Sequence, residues 1–195
     1  MSTAKMERAE AAKLPDDDVI GILLTQHARI RDLFAEVKSA DGEHKKVVFD
    51  ELKALLAVHE TSEEMILRPV AKRTAGEKEA DTRNREEKEA NKVLAALERM
   101  DVRSPEFDSL IATFEKSVVD HAEHEEKEEF PAVHRDCSAD QLRTMGTRLL
   151  AVEKLAPTHP HPTTAGSPVA QAAIGPFASL IDRTKDALKA AGTGG

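Results

Sequence analysis

The sequence predicts an all-α protein, an up-down four-helix bundle with additional helices at the C-terminus. Three observations predict it. Ala, Leu, Glu, Lys and Arg dominate the 195 residues, which hold no Trp, no Tyr and six Phe, a composition that favours helix. Apolar residues recur at helical spacing in four long stretches. A motif also occurs twice: His59-Glu60-Thr61-Ser62-Glu63-Glu64 followed by Pro69, and His121-Ala122-Glu123-His124-Glu125-Glu126 followed by Pro131.

Residues 1–17 are polar and read as a frayed helix or an arm. Asp16, Asp17 and Asp18 offer an N-cap and negative charge for a first bundle helix. That helix is expected over Val19 to Ser39, with a stripe of Ile20, Leu23, Leu24, Ile30, Leu33, Phe34 and Val37 that includes His27. After Asp41-Gly42 a second helix carries Val48, Leu52, Leu55, Leu56, His59, Glu63, Ile66 and Leu67 to about Arg68, where Pro69 marks an end or a kink. A third runs from Gly76-Glu77 to Met100, its inner face reading Glu87, Ala90, Val93 or Leu94, and Leu97. Ser104 at N-cap and Pro105 at the first helical position open a fourth. It carries Leu110, Ile111, Phe114, Val118, His121 and Glu125 and stops around Pro131 to His134. The bundle is therefore placed at 18–135.

Residues 136–195 form the C-terminal additions. Ser138 and Gln141 have capping-box spacing and should open a helix to about Leu155. Residues 156–168, APTHPHPTTAGSP, read as an extended linker. Gly175-Pro176 precede a short amphipathic helix with Phe177, Leu180, Ile181 and Leu188, and the tail AAGTGG is expected to be disordered.

Composition also excludes functions. Net charge is −8 and there is no basic stripe, so nucleic acid is not an expected partner. No apolar run is long enough to span a bilayer, and none suits a membrane surface. The first fifteen residues lack an apolar signal core, and the single Cys137 cannot form an internal disulfide; a cytoplasmic location is expected.

The doubled motif carries the chemistry. Residues i and i+4 share a helix face, so His59 with Glu63, and His121 with Glu125, each point an imidazole and a carboxylate one way. Burying them costs free energy unless they are paired or hold a metal. The chain also repeats internally, since His27 precedes His59 by 32 residues and Glu87 precedes His121 by 34. Two helix hairpins, each with one ligand-like residue and one H-x-x-x-E, make a pseudo-twofold bundle of the kind that places ligands on facing helices. The pattern suggests a dinuclear metal site. The bland alternative is a pair of surface His–Glu hydrogen bonds and, for Glu87, a solvated charge in the run REEKE.

On these residues the chain resembles the hemerythrin-like family, the HHE cation-binding domain, over roughly residues 18 to 135. That family has a His on the first helix, H-x-x-x-E on the second, a His on the third and H-x-x-x-E on the fourth. His27, His59 with Glu63, and His121 with Glu125 match. The third-helix position departs: counting back from Leu97 and Leu94 it falls on Glu87, and a shift of one would place Glu86 or Lys88 there. The resemblance implies two non-haem iron ions with an oxo or hydroxo bridge; zinc and manganese are the alternatives. The metal set is then His27, His59, Glu63, Glu87, His121 and Glu125.

It further implies a small oxidant as partner: dioxygen, hydrogen peroxide or nitric oxide. Glu87 disfavours reversible dioxygen carriage, because an anionic ligand stabilises the ferric state; a catalase-like activity fits better. Other readings are an iron store or donor, an oxygen- or redox-sensing module without turnover, and a metal-free structural bundle. The sequence leaves enzyme against carrier, the reductant and the oligomeric state open. Gln26, beside His27, is placed to reach a neighbouring ligand. His124 is expected on the flank of the site, supporting a ligand from behind, with metal ligation the alternative. Glu64 and Glu126 are expected off the His face, solvated or salt-bridged, and His159 and His161 in a solvated linker.

Overall fold

The computed structural model describes residues 2–155 and 177–192. The described residues form helices α1 (Thr3–Ala11), α2 (Val19–Ser39), α3 (Gly42–Ser62), α4 (Arg68–Thr74), α5 (Glu77–Leu97), α6 (Pro105–His124), α7 (Phe130–Asp136), α8 (Ala139–Leu155) and α9 (Phe177–Gly192). The Pro-rich stretch 156–168 with His159 and His161, the Gly175-Pro176 helix start and tail residues 193–195 lie outside the described residues.

Local chemistry sets the starts. Asp18 accepts from the Ile20 and Gly21 amides, and Ser104 Oγ from the Phe107 amide. Ser138 and Gln141 cap each other reciprocally, at 2.8 and 3.3 Å. Gly76, at φ 108°, turns α4 into α5 in a region open to glycine at no steric cost.

The four bundle helices are α2, α3 with α4, α5, and α6 with α7. α2 packs on α3 and α6, α5 packs on α6 and α4, and α4 packs on α7. The apolar core falls into two clusters. One holds Leu33, Phe34, Leu52, Leu94 and Phe114; the other holds Leu23, Ile66, Phe130 and Leu149. Between them lies a layer of His and Glu.

The prolines do not end their helices. Glu63–Leu67 and Glu125–Glu129 each form one wide π-type turn, and the helical path continues as α4 and α7. The Glu63 carbonyl accepts from the Arg68 amide, and the Glu125 carbonyl from the Phe130 amide. Proline lacks an N–H, and its ring clashes with the carbonyl four residues back. Bonding over five residues widens the turn and relieves that clash. Pro69 and Pro131 then sit in the first turn of the next segment, where a missing N–H costs nothing.

The segments outside the bundle are part of the packing. Residues 3–11 are not a loose arm: α1 packs along α2 and buries Ala4 and Glu7. α8 packs on α2, and α9 packs on α3 and α8. Leu142, Met145 and Leu149 enter one apolar cluster and Leu180 the other. Gly146 lets α8 cross the start of α2. A Cβ there would lie 2.1 Å from the Asp17 carbonyl oxygen and 2.9 Å from the Val19 amide nitrogen. Gly146→Ala is expected to cost about 1–3 kcal/mol by overpacking, read from a urea transition; an unchanged midpoint would mean the crossing is loose.

Candidate metal centre

The six cluster residues reach the central layer from all four bundle helices. α2 supplies His27, α3 supplies His59, the first wide turn Glu63, α5 Glu87, α6 His121 and the second wide turn Glu125. One donor atom from each of His27, His59, Glu63 and Glu125 lies within 4.8 Å of the others, and the same holds for Glu63, Glu87, His121 and Glu125. The two groups share Glu63 and Glu125, both with no exposure to solvent. All six expected ligands are thus brought together.

All three imidazoles are oriented alike. His27 Nδ1 lies 2.8 Å from Glu126 Oε1, His59 Nδ1 2.8 Å from Gln26 Oε1 and His121 Nδ1 3.0 Å from Glu86 Oε2. These oxygens only accept, so each Nδ1 carries the proton and donates. Each Nε2 is turned inward, 3.2 Å separating those of His27 and His59. His121 Nε2 lies 3.1 Å from Glu125 Oε1. Bare Nε2 atoms facing one another repel unless a proton or a metal ion lies between them. Metal-binding imidazoles are held in this manner, by a hydrogen bond on the other ring nitrogen.

Polar atoms within the layer lack partners. Glu63 Oε1 and Oε2, Glu125 Oε2 and His121 Nε2 are buried without a hydrogen bond among the described residues. Such groups are costly unless they coordinate a cation. Imidazole nitrogen with carboxylate oxygen suits iron, manganese or zinc. The residues present therefore fit a bound metal.

The layer's electrostatics are uneven. Burial pushes the Glu63 carboxyl well above its usual range, and the Glu125 charge pushes it further. Burial also acts to raise Glu125, but His121 and His27 hold it well below. Burial acts to lower His27 and His121; the Glu125 carboxylate, with Glu126 and Glu86, raises both. Burial and the neighbouring His27 hold His59 well below its usual value.

Several side chains of this layer escaped the sequence. Arg68, 3% exposed, projects into the acidic cluster. Its Nη1 donates to both Glu129 oxygens at 2.7 Å. Its Nη2 lies 3.2 Å from Glu125 and 4.0 Å from Glu63, and donates to Glu87. In a regular helix Arg68 would point about 140° away from Glu63; the wide turn brings it back over the site. The prolines were its only signal. Glu126 is a correction, since it reaches His27 Nδ1 rather than turning away, while Glu64 is exposed and pairs with Lys185.

Gln26 does reach a cluster histidine. His124 lies on the flank, half-exposed, 3.6 Å from Glu86. Burial raises the Cys137 thiol, which disfavours the reactive thiolate. Glu86 faces His121 from behind and Glu87 faces the cluster, whereas Lys88 lines an outer cleft with Lys72 and Lys185. Glu60 and Glu87 line both that cleft and an inner apolar cavity of about 30 Å³. Ile30, Leu56, Val118 and Ala122 form much of the inner wall. Burial, with the Glu87 charge, pushes the Glu60 carboxyl up to about 8.

Comparison with known proteins agrees with this geometry. An uncharacterized hemerythrin-like protein of Schizosaccharomyces pombe is 23% identical over 171 residues, covering 86% of this chain and 84% of the relative. A DNA nickase of Nostoc is 23% identical over 139 residues, 71% of this chain but only 40% of that protein's length. The crystal structure of a hemerythrin HHE cation binding domain-containing protein from Mycobacterium kansasii superposes with a TM-score of 0.67 at 21% identity, covering 85% of this chain and 98% of that one; it supports the helical fold. The model of the hemerythrin HHE cation binding domain matches residues 18–133, a span that contains every member of the His and Glu cluster, and the chain belongs to that family.

Proposed function

We propose that the cluster holds two non-haem iron ions and acts on a small oxidant, with hydrogen peroxide the favoured substrate. The observation that carries this reading is the pair of four-residue groups sharing Glu63 and Glu125. His27 and His59 would help hold one ion and His121 with Glu87 the other, and Glu63 and Glu125 belong to both groups. Iron held there would supply redox chemistry toward a small oxidant.

The chain supplies the rest. The cavity of about 30 Å³ has room for one small molecule. Its apolar wall excludes bulk water from beside the cluster. The Glu60 carboxyl, at about 8, carries a proton at neutral pH and faces that cavity. It is placed to give the proton to a departing oxygen, as O–O cleavage requires. Glu126, Gln26 and Glu86 keep the three imidazoles aimed inward.

The test is metal content with an optical spectrum. The chain has no Trp and no Tyr, so near-ultraviolet bands report the centre with little interference. About two irons per chain, bands that shift with azide or peroxide, and dioxygen release from peroxide are expected. Zinc alone, or a single metal ion after iron loading, would overturn the reading. Ready loss of iron to a chelator without peroxide turnover would make the protein an iron donor.

A further inference from the structure

Two helices outside the matched span carry side chains that meet the residues standing behind cluster histidines. α8 carries Glu153, whose Oε1 accepts from Gln26 Nε2 at 2.5 Å. Gln26 Oε1 in turn accepts from His59 Nδ1 at 2.8 Å. A carboxylate only accepts, so Glu153 requires the amide nitrogen of Gln26 to face it. The amide oxygen must then face His59, and His59 Nδ1 must donate. Nε2 is left bare and aimed at Glu63, 3.6 Å away. Turn the Gln26 amide over and the logic inverts: Nδ1 accepts, the proton moves to Nε2 and the inward lone pair is lost.

α1 provides the counterpart for His27. Glu7 is a glutamate on a polar helix, yet only 3% exposed. Its Oε1 accepts from Arg31 Nε at 2.6 Å, and Arg31 Nη2 lies 3.9 Å from Glu126 Oε1. Glu126 Oε1 is the acceptor for His27 Nδ1. Glu7, Glu126 and His27 bring their polar atoms within 4.8 Å of one another. Residues 7 and 153 both lie outside the matched 18–133.

We propose that Glu153 and Glu7 are positioning residues: from the added helices α8 and α1 they fix, through Gln26 and through Arg31 with Glu126, which nitrogen of His59 and of His27 faces the metal cluster. The inference rests on the reading of that cluster as a metal centre. The donor logic itself needs no metal, so the two are separable by experiment.

The full chain is labelled with ¹⁵N-histidine and examined metal-free at a pH high enough to leave the rings neutral, and its zinc affinity is measured by chelator competition. In the native chain His59 is expected as its Nδ1–H tautomer. Glu153→Leu should mix the tautomers at His59 and weaken zinc by about 10–100-fold, the range for removing a support behind a ligand. Glu153→Gln, which retains an acceptor, should restore most of both. Glu7→Leu should act on His27 in the same way and leave His59 alone. Gln26→Ala with Glu153→Leu should be no weaker than Gln26→Ala alone, because the two act in series.

Arg8→Ala is the control. It removes the Arg8–Asp32 tie between α1 and α2 without touching either relay, and should change neither tautomer nor affinity. Unchanged tautomers in both leucine variants, whatever happens to their thermal midpoints, would overturn the proposal and leave Glu7 and Glu153 as packing residues. No zinc binding by the native chain would overturn the metal reading, while the metal-free tautomers still decide the relay.

Discussion

Arg68→Met is expected to destabilise the metal-free protein by about 3–5 kcal/mol, the cost of removing one partner from a buried ion pair. For a chain of this length that is a fall in Tm on the order of 10 °C. Arg68 is the cation among Glu63, Glu87, Glu125 and Glu129. Without it Glu129, with no solvent exposure, loses the guanidinium on both its oxygens, and Arg83 is the weaker of the two cations that lower it. Burial already pushes Glu129 up to about 7 with Arg68 on both oxygens. Methionine fills a similar volume, so the loss reports charge rather than a cavity. Metal loading should narrow the gap between variant and native protein, because a bound cation supplies part of the missing charge. A drop below about 1 kcal/mol would place the pair with exposed salt bridges.

Metal affinity should rise steeply with pH. The sign follows from what the layer holds before metal arrives. Glu63 is kept up by burial and by the Glu125 charge. His27 and His121 are raised by their carboxylate neighbours in spite of burial. The raised groups hold their protons to higher pH than usual, and a ligand must shed its proton to bind. Each displaced proton lowers apparent affinity about tenfold per pH unit below its pKa. Loss of two or more protons gives at least about a hundredfold fall per unit. Calorimetric titration with zinc in buffers of different ionisation heat counts the protons released. A flat affinity between about pH 6 and pH 8 would remove His27, His121 and Glu63 from the ligand set.

The motif was legible because helix geometry fixes it locally. His59 with Glu63 and His121 with Glu125 share faces whatever surrounds them. The caps at Asp18, Ser104 and Ser138 were legible for the same reason, since each acts within three residues. His27 and Glu87 were reachable through the internal repeat, which sets their register against the apolar stripes.

What lay beyond one helix was not legible. Pro69 and Pro131 signalled a break in the hydrogen bonding, and only the folded chain shows that the break widens a turn and turns Arg68 inward. Glu126 was placed off the His face by regular spacing, yet α2 brings His27 to it. Glu7 and Glu153 lie in segments with no motif of their own.

The sequence by itself determined the helices, their inward faces and the residues able to hold a metal, because those depend on periodicity and on contacts one turn apart. The tertiary structure decided the charge balance around Arg68, the outward partner of each imidazole and the cavity beside them. These depend on helix phase after a wide turn and on side chains meeting across helices, which carry no local signature.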